Sequence, residues 1–196
     1  MSSRRRVPGG TGRPRLTRER VLDAALALID REGLGALSMR RVADELDAGA
    51  MSLYRHVASR EDLLDGVVER LAHEIELPGP EHGDWAQRMR TLMRSTRSVA
   101  LGHPNAAELF VLRPLRTPAG RARMAEGLAL IGAGLPPREA GVAARTLDSY
   151  VVGFILAELG GRPEFGGSDT GGDDEFDAGV ELILGALQSR RAHSSP

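Results

Sequence analysis

The segment Met51-Ser52-Leu53-Tyr54-Arg55-His56 decides the fold of this chain of 196 residues. It predicts a helix over residues 50–56, about two turns long, in which Leu53 and Val57 face inward while polar side chains face outward. The three preceding residues, Asp47-Ala48-Gly49, predict a tight turn whose glycine supplies a positive φ. Two short helices joined by such a turn, with a third packed across them, form a helix-turn-helix.

Helix-start signals flank this segment on both sides. Thr17, Ser38 and Ser59 each stand directly before an apolar run with helical spacing, where a hydroxyl caps the first turn. They predict a first helix that ends at Gly33, a short second helix before the turn, and a fourth helix after it. Asp62, three residues after Ser59, gives the spacing of a capping box.

The remainder of the chain also predicts helices. Aromatic residues make up only 4% of the sequence, and a core of Ala and Leu favours packed helices over sheet. Residues 77–83 hold two prolines and two glycines, which marks a boundary. Further helices are expected over residues 84–101, after Pro104, from Thr117 to Gly134, from Pro136 to Leu159 and from Phe176 to Arg191, with a Gly- and acid-rich loop over 160–172. We therefore predict an all-α protein with a helix-turn-helix domain at 16–76 and a helical C-terminal domain at 84–192.

The net charge of −1 conceals an asymmetry along the chain. Residues 1–60 hold 12 arginines against 7 acidic residues, a net charge of +5, whereas residues 61–196 hold 14 against 20, a net charge of −6. A basic head on an acidic body favours contact between the head and a polyanion. Residues 1–15 are predicted to be a disordered basic arm. We hypothesise that Arg13 and Arg15 enter a minor groove of DNA; the alternative is an idle arm.

Composition argues against several classes of protein. The chain has no cysteine, which excludes disulfides and thiolate metal sites. Its basic start lacks the apolar stretch of a signal peptide, and no run of about eighteen apolar residues was found, so we expect a cytoplasmic protein without a membrane span. A Gly-rich phosphate loop, a nucleophile elbow and metal-ligand spacing are all missing from the sequence. No enzyme activity, cofactor or metal ion is expected.

The segment from Leu16 to Leu71 resembles the N-terminal domain of the TetR family of bacterial repressors. The likeness is carried by Ala24-Ala25, by Ser38-Met39-Arg40-Arg41-Val42-Ala43, by Ser52-Leu53-Tyr54-Arg55-His56-Val57 and by Ser59-Arg60-Glu61-Asp62-Leu63-Leu64. A lone helix-turn-helix pattern is a weak signal, but a nearly gap-free likeness over about 55 residues is specific.

The resemblance implies DNA contacts by residues on three helices. Arg40 would reach backbone or a base edge, Arg60 a phosphate, and Arg55 could bind guanine through two hydrogen bonds. The full implied set is Arg40, Met51, Ser52, Tyr54, Arg55, His56 and Arg60. An alternative for Tyr54 is packing between the third and fourth helices, with an incidental hydroxyl. Arg41 is interpreted as a solvated charge.

The C-terminal region is similar to that of the tetracycline repressor branch, which implies a ligand-binding and dimerisation domain. The likeness lies in Gly102-His103-Pro104, Arg113-Pro114, the helix around Gly153 and the segment 179–185. The last two long helices are more apolar than one solvent-facing side requires, and in the family such helices form a four-helix bundle in a homodimer. The alternative is ordinary core helices of a monomer.

The metal ligands of the tetracycline repressor are not retained. Its metal-binding histidine falls at Leu109 or Phe110, and a later acidic residue falls at Ala157. A hard metal–drug chelate needs oxygen or imidazole ligands, so we predict no response to tetracycline. A small apolar effector is expected instead, in a cavity whose candidate residues are Leu92, Thr96, His103, Phe110, Arg113, Leu128, Tyr150 and Phe154, with Met93 and Met124 as further walls. For any one of these residues, simple core packing is the alternative.

Together these features predict a sequence-specific transcription regulator. We expect a homodimeric repressor on a palindromic double-stranded DNA operator, released by the effector. Two alternatives remain: a non-specific architectural DNA-binding protein, and a ligand sensor without DNA function. The acidic body of residues 61–196 disfavours the first, and the intact third helix disfavours the second.

Overall fold

The computed structural model describes residues 15–133, 135–160 and 172–194, with side chains through residue 190. Its α-helices are α1 (Arg18–Glu32), α2 (Met39–Glu45), α3 (Ala50–Leu53), α4 (Arg60–Glu74), α5 (Trp85–Gly102), α6 (Pro104–Leu112), α7 (Pro118–Gly132), α8 (Pro137–Leu159) and α9 (Gly172–Ser194). Single 3₁₀ turns lie at Leu34–Ala36 and Pro80–His82. The described residues contain no strand, which confirms the all-α prediction. Residues 1–14 and most of the predicted loop at 160–172 lie outside the described residues.

The predicted hydroxyl caps are formed. Thr17 accepts from the backbone N–H of Arg20, Ser38 from that of Arg41, and Ser59 from that of Asp62, at 3.1–3.3 Å. Each cap satisfies an N–H group that the first helical turn leaves without a partner. The Asp62 carboxylate does not complete a capping box with Ser59. It accepts instead from the N–H of Ala58 at 2.7 Å and from the Arg18 side chain.

The turn before the third helix differs from the prediction. Asp47, not Gly49, has the positive φ, at 48°, whereas Gly49 has φ −71° and is the N-cap of α3. The N–H of Ala48 donates to the carbonyl of Ala43 at 2.9 Å. This six-to-one bond is the signature of a Schellman motif, in which the residue after the C-cap is left-handed. Asp adopts that conformation more readily than most residues. The prediction that Gly49 supplies the positive φ was therefore wrong, because Asp47 supplies it.

The third helix is also shorter than predicted. Regular α-helix ends at Leu53, and residues 54–56 continue as turns. The N–H groups of His56 and Val57 both donate to the Leu53 carbonyl, at 2.8 and 3.0 Å. Because one carbonyl accepts from both N–H groups, the helix narrows to a tighter turn there. The chain then leads to Ser59, the N-cap of α4.

Two apolar cores hold the helices together. Side chains from α1 to α4 form the first, which also receives Val99 from α5 and Ala106 from α6. The second is built from α5 to α9 and centres on Leu147, Ile155 and Phe176. Since α6 packs against both α1 and α4, the helix-turn-helix domain contacts the C-terminal region directly through α6.

Helix α9 starts at Gly172, four residues before the predicted start. Its first turn is acidic, which suits the positive end of the helix dipole. Asp173 in that turn also accepts from Arg97 of α5 at 2.6 Å. Two further pairs, Arg94 with Asp177 and Arg90 with Glu181, continue along the same faces. This ladder of ion pairs fastens α9 to α5.

Helix α8 is long and apolar enough to cross a membrane by length and composition, with a mean hydropathy of 1.3 over eighteen residues. That is weak support for a span, because the core helices of other proteins pass the same test. Here Ala143, Leu147, Val151 and Ile155 pack into the second core. The absence of such a stretch was therefore overstated from sequence, and core packing accounts for one face of α8.

Candidate functional site

The recognition segment, residues 50–57, is held by two buried anchors. Leu53 and Val57 are 0% and 1% exposed and belong to the first core. Between them the chain presents Met51, which is 79% exposed, and Tyr54, which is 48% exposed. The structure thus leaves the Tyr54 ring largely open to solvent, which weakens the interpretation of this residue as internal packing.

The arginines around this segment form its basic face. Arg40 on α2 and Arg55 are exposed, and neither side chain has a hydrogen bond or ion pair with any residue that the structure describes. Arg60, at the start of α4, is exposed as well, but its Nε donates to the Leu37 carbonyl at 3.3 Å. Ser52 and His56 are half-buried. Of the seven sequence-predicted residues, five lie on the recognition segment, one on α2 and one at the start of α4. Of the arginines in this set, Arg40 and Arg55 are the ones whose side chains have no partner among the described residues.

Arg41 differs from these two arginines. Its guanidinium pairs with Glu32 of α1 at 2.6 Å. The hydrogen bond to Arg41 also lowers the pKa of the Glu32 carboxyl. Arg41 thus makes an ion pair between α2 and α1, and the interpretation as a solvated charge was incomplete.

Sequence reasoning missed the residue that supports the segment from beneath. Arg18 of α1 donates to both Asp62 oxygens, at 2.8 and 3.2 Å, and to the His56 carbonyl at 2.8 Å. Its hydrogen bonds lower the pKa of the Asp62 carboxyl, and the same pairing raises the pKa of Arg18. The Arg18 guanidinium thus links α1 both to α4 and to the His56 carbonyl near the end of the recognition segment. Sequence offered no signal for it, because the partners lie 38 and 44 residues away.

A cavity of about 590 Å³ lies between α4, α5, α6, α7 and α8. Its wall is mainly apolar, as expected for a site for a small organic ligand. The lining residues include five of the eight that sequence proposed, together with both proposed methionines: Leu92, Met93, Thr96, Phe110, Arg113, Met124 and Leu128. Whether they contact a ligand remains a prediction.

Three proposed residues lie away from this cavity. His103 sits where α5 meets α6, with Nδ1 at 2.8 Å from Asp30 and Nε2 at 3.2 Å from Glu74. Tyr150 and Phe154 pack instead with Phe176, at centroid distances of 5.6 and 5.2 Å. The expectation that all eight share one cavity was wrong, because Tyr150 and Phe154 face α9 rather than α7.

Charged lining residues on α7 and α8 were also missed. Arg123, Arg145 and Asp148 join Arg113 on the wall. Partial burial raises the pKa of the Asp148 carboxyl, against the opposing effect of nearby Arg145. The apolar pattern of α8 predicted only its core face. Arg145 and Asp148 lie one turn apart on a neighbouring face of that helix.

Arg113 and Arg123 both hold α4 while lining the cavity. Arg113 donates to Asp65 and Glu61 near the start of α4, each at 2.7 Å. Arg123 donates to the carbonyls of Ala72 and Ile75 at its end. The hydrogen bond from Arg113 lowers the pKa of the Glu61 carboxyl, and the same bond raises the pKa of Arg113.

Within the described part of the chain, no cluster of three or more His, Asp or Glu side chains is arranged to hold a metal ion. The residues at the positions of the tetracycline repressor's metal ligands have other surroundings: Leu109 packs against the first core and Phe110 lines the cavity.

Comparison with protein families matches two models to this chain. Residues 21–67 match the family described as bacterial regulatory proteins, tetR family. Residues 77–169 match the tetracyclin repressor-like C-terminal domain. The first match covers the recognition segment and the second covers most of the cavity lining, while Val68, Ala72 and Ile75 lie between the two.

Two curated relatives are transcription regulators from Saccharopolyspora and Streptomyces. An HTH-type transcriptional regulator of Saccharopolyspora erythraea is 37% identical over 74% of this chain and 62% of its own length. The HTH-type transcriptional repressor DrrR1 of Streptomyces coeruleorubidus is 37% identical over 79% of this chain and 58% of its own length. The match thus spans about three fifths of each of these relatives.

Solved structures are similar over nearly the whole chain. Apo ActR of Streptomyces coelicolor is 30% identical with a TM-score of 0.79, covering 92% of this chain and 98% of ActR. ActR in complex with actinorhodin has a TM-score of 0.75 at 30% identity, over 90% of this chain and 98% of that one. BioQ in complex with its double-stranded DNA operator has a TM-score of 0.69 at 26% identity, covering 89% of this chain and 99% of BioQ. A further structure of BioQ is from Mycobacterium smegmatis. The chain therefore belongs to the TetR family of bacterial regulatory proteins.

Proposed function

We propose that this protein is a sequence-specific DNA-binding transcription repressor. The observation that carries the proposal is the recognition segment, whose buried Leu53 and Val57 present an exposed face with two uncommitted arginines beside it. A short helix of this kind fits a major groove about 12 Å wide. The relative BioQ, which has the same fold, was solved with its operator DNA.

Within this face we assign different tasks to different residues. Arg55 reads a guanine through two hydrogen bonds, and Met51 and Ser52 contact neighbouring base edges. Arg40, Tyr54, His56 and Arg60 bind backbone phosphates, which fix the register of the protein on the duplex without reading sequence. The retained bond between Arg60 and the Leu37 carbonyl leaves other guanidinium donors available for a phosphate.

The repressor acts as a homodimer on a palindrome, with the outer face of α8 and α9 as its interface. Val142 and Leu182 are 66% and 79% exposed on this face. Gly153 and Gly185 have nothing within 4 Å of the position that a Cβ would occupy. A glycine inside a helix lowers the stability of the fold by about 1 kcal/mol relative to alanine. Close approach of a second helix would explain why glycine stands at these two positions.

The cavity binds a small effector whose body is apolar, and binding releases the operator. An effector shifts DNA affinity only if it binds the two states of the protein differently. Its wall includes α4, which begins directly after the recognition segment, so a change at the wall reaches the DNA face. The relative ActR was solved in complex with actinorhodin. We assign this regulator to the cytoplasm and assign it no enzyme activity.

Selection of bound sequences from random double-stranded DNA tests this function with the full chain. A palindrome whose half-sites are one helical turn apart, about 34–36 Å, is expected. A double variant, Arg40→Ala with Arg55→Ala, is the control, and it should bind more weakly and enrich a motif that is relaxed at one position in each half-site. Binding without sequence preference would favour an architectural protein, and absence of binding would favour a sensor without DNA function; either result would overturn the proposal.

A further inference from the structure

The cavity wall carries more cationic than anionic groups. Three guanidiniums, from Arg113, Arg123 and Arg145, line it against one carboxylate, that of Asp148. Arg145 has no hydrogen bond or ion pair with a described residue, and it lies near enough to Asp148 to oppose the rise in the pKa of that carboxyl. An apolar wall strengthens the attraction of such charges for a buried anion, because it lowers the local dielectric constant.

Arg113 has two sets of partners available to it. Its side chain is 16% exposed and already bound through Nε and Nη2 to Asp65 and Glu61 on α4. Its Nη1 makes no hydrogen bond with a described residue, and the same side chain lines the cavity. A two-oxygen anion that binds the planar guanidinium through Nη1 and Nη2 would compete with Glu61 for Nη2.

We propose that the cavity takes an apolar anion, a ring system with one carboxylate or sulfonate group, which draws Arg113 away from Glu61 and Asp65. This deepens the proposed function and rests on it for the effector role alone. Loss of these bonds would release the first two turns of α4 from Arg113 at the end of α6, while Arg18 still ties them to α1 and Arg123 still holds the far end of α4.

Two fluorescent probes that differ mainly in one acid group test the ligand class. They are 8-anilino-1-naphthalenesulfonate and the uncharged N-phenyl-1-naphthylamine, titrated into the full chain without DNA. The sulfonate should bind at least about tenfold more tightly, a difference of about 1.4 kcal/mol. Arg113→Gln should reduce that ratio to about threefold or less. Arg138→Gln, which removes one exposed arginine outside the cavity wall, should leave the ratio unchanged.

Competition by α4 is tested by removing its carboxylates. Glu61→Gln combined with Asp65→Asn should tighten sulfonate binding about threefold or more, because the anion no longer displaces a partner of Arg113. Glu108→Gln, an exposed α6 residue, changes net charge by one unit at a site without such a pair and should have no effect. This arm remains informative if Arg113→Gln fails to fold.

Equal binding of the two probes by the unmodified chain would overturn the ligand class. Unchanged or weaker sulfonate binding by the α4 double variant would overturn the competition. Ala144→Phe, which narrows the cavity, should abolish sulfonate binding, and retained binding would place the probe elsewhere and overturn the proposal. None of these titrations contains DNA, so their failure is distinct from a failure to select an operator.

Discussion

Two exposed faces of this molecule lack partners among the described residues, and their chemistry is opposite. The recognition face, around Met51 and Tyr54, is flanked by the uncommitted Arg40 and Arg55. The outer face of α8 and α9 carries the exposed Leu182 and two glycines, Gly153 and Gly185, with open space beside them. A basic face suits a polyanion, whereas an apolar face rich in small residues suits another helix pair. The difference teaches that one chain carries two kinds of exposed surface, each supported by a different set of buried side chains.

The largest expected effect comes from removing the frame of the recognition face. Leu53→Ala deletes a fully buried side chain from the first core and should lower the free energy of unfolding by about 2–5 kcal/mol. Chemical denaturation followed by circular dichroism measures this. Met51→Ala, two residues away, removes an exposed side chain and should change stability by less than about 0.5 kcal/mol. Equal effects of the two changes would contradict the inward and outward assignment.

A charge on the apolar face should affect association rather than folding. Leu182→Glu should weaken self-association about a hundredfold, near 2.7 kcal/mol, because a carboxylate would lose water on burial. Sedimentation velocity over a concentration series measures it. Leu112→Ser changes another exposed leucine, at the end of α6, and should leave the oligomeric state unchanged. A monomer at every concentration of the unmodified chain would remove this face from the comparison.

Replacing single arginines on the recognition face separates reading from holding. Arg55→Ala should cost about 1–3 kcal/mol on the preferred sequence and relax one position in each half-site. Arg60→Ala should weaken all sequences alike and lower the salt dependence by about one unit per half-site. Fluorescence anisotropy with the preferred duplex and single-position variants distinguishes them. If Arg55→Ala weakened every sequence equally, Arg55 would be a phosphate contact.

The smallest effect is expected beneath the recognition face. The pKa of Asp62 is lowered by Arg18, so the pair stabilises the fold fully above the unfolded-state value of about 3.9. That contribution is lost as the pH falls through the lowered folded-state pKa. Because both side chains are about one third exposed, Asp62→Asn should cost only about 1 kcal/mol at neutral pH.

Thermal unfolding between pH 6 and pH 3 measures this dependence. The difference between the unmodified chain and Asp62→Asn should shrink below about pH 4. Asp44→Asn changes an exposed acid on α2 whose side chain has no hydrogen bond or ion pair with a described residue, and it should show no such difference. A gap between the Asp62→Asn and unmodified curves that widened in acid would contradict the role of this pair.

Local signals in the sequence were sufficient for the helices and for the recognition segment. Hydroxyl caps at Thr17, Ser38 and Ser59 act over three residues, so they can be read without the fold. The left-handed Asp47 escaped because Gly49 nearby was the more usual candidate. Helix ends depended on contacts that the sequence does not display, as with the acidic turn of α9 that pairs with Arg97.

The cavity was only partly predictable for the same reason. Phe110 and Leu128 were found because large apolar residues at helical spacing must face some interior. For the large apolar residues of α8, the interior that each one faces depends on how this helix is rotated between α7 and α9. That rotation places Tyr150 and Phe154 against Phe176. The long-range partners of Arg18 and Arg113 could not be inferred, since charge pairs across the fold leave no periodic pattern.

The most direct test of the central claim places a DNA-cleaving group on the recognition face. The chain has no cysteine, so Met51→Cys gives one attachment site for an iron–EDTA reagent, and Arg138→Cys gives a control on α8. Bound to the selected duplex, the Met51→Cys conjugate should cut at two places about one helical turn apart, symmetric about the palindrome centre. Cutting from Arg138→Cys but not from Met51→Cys would contradict the claim that this segment meets DNA.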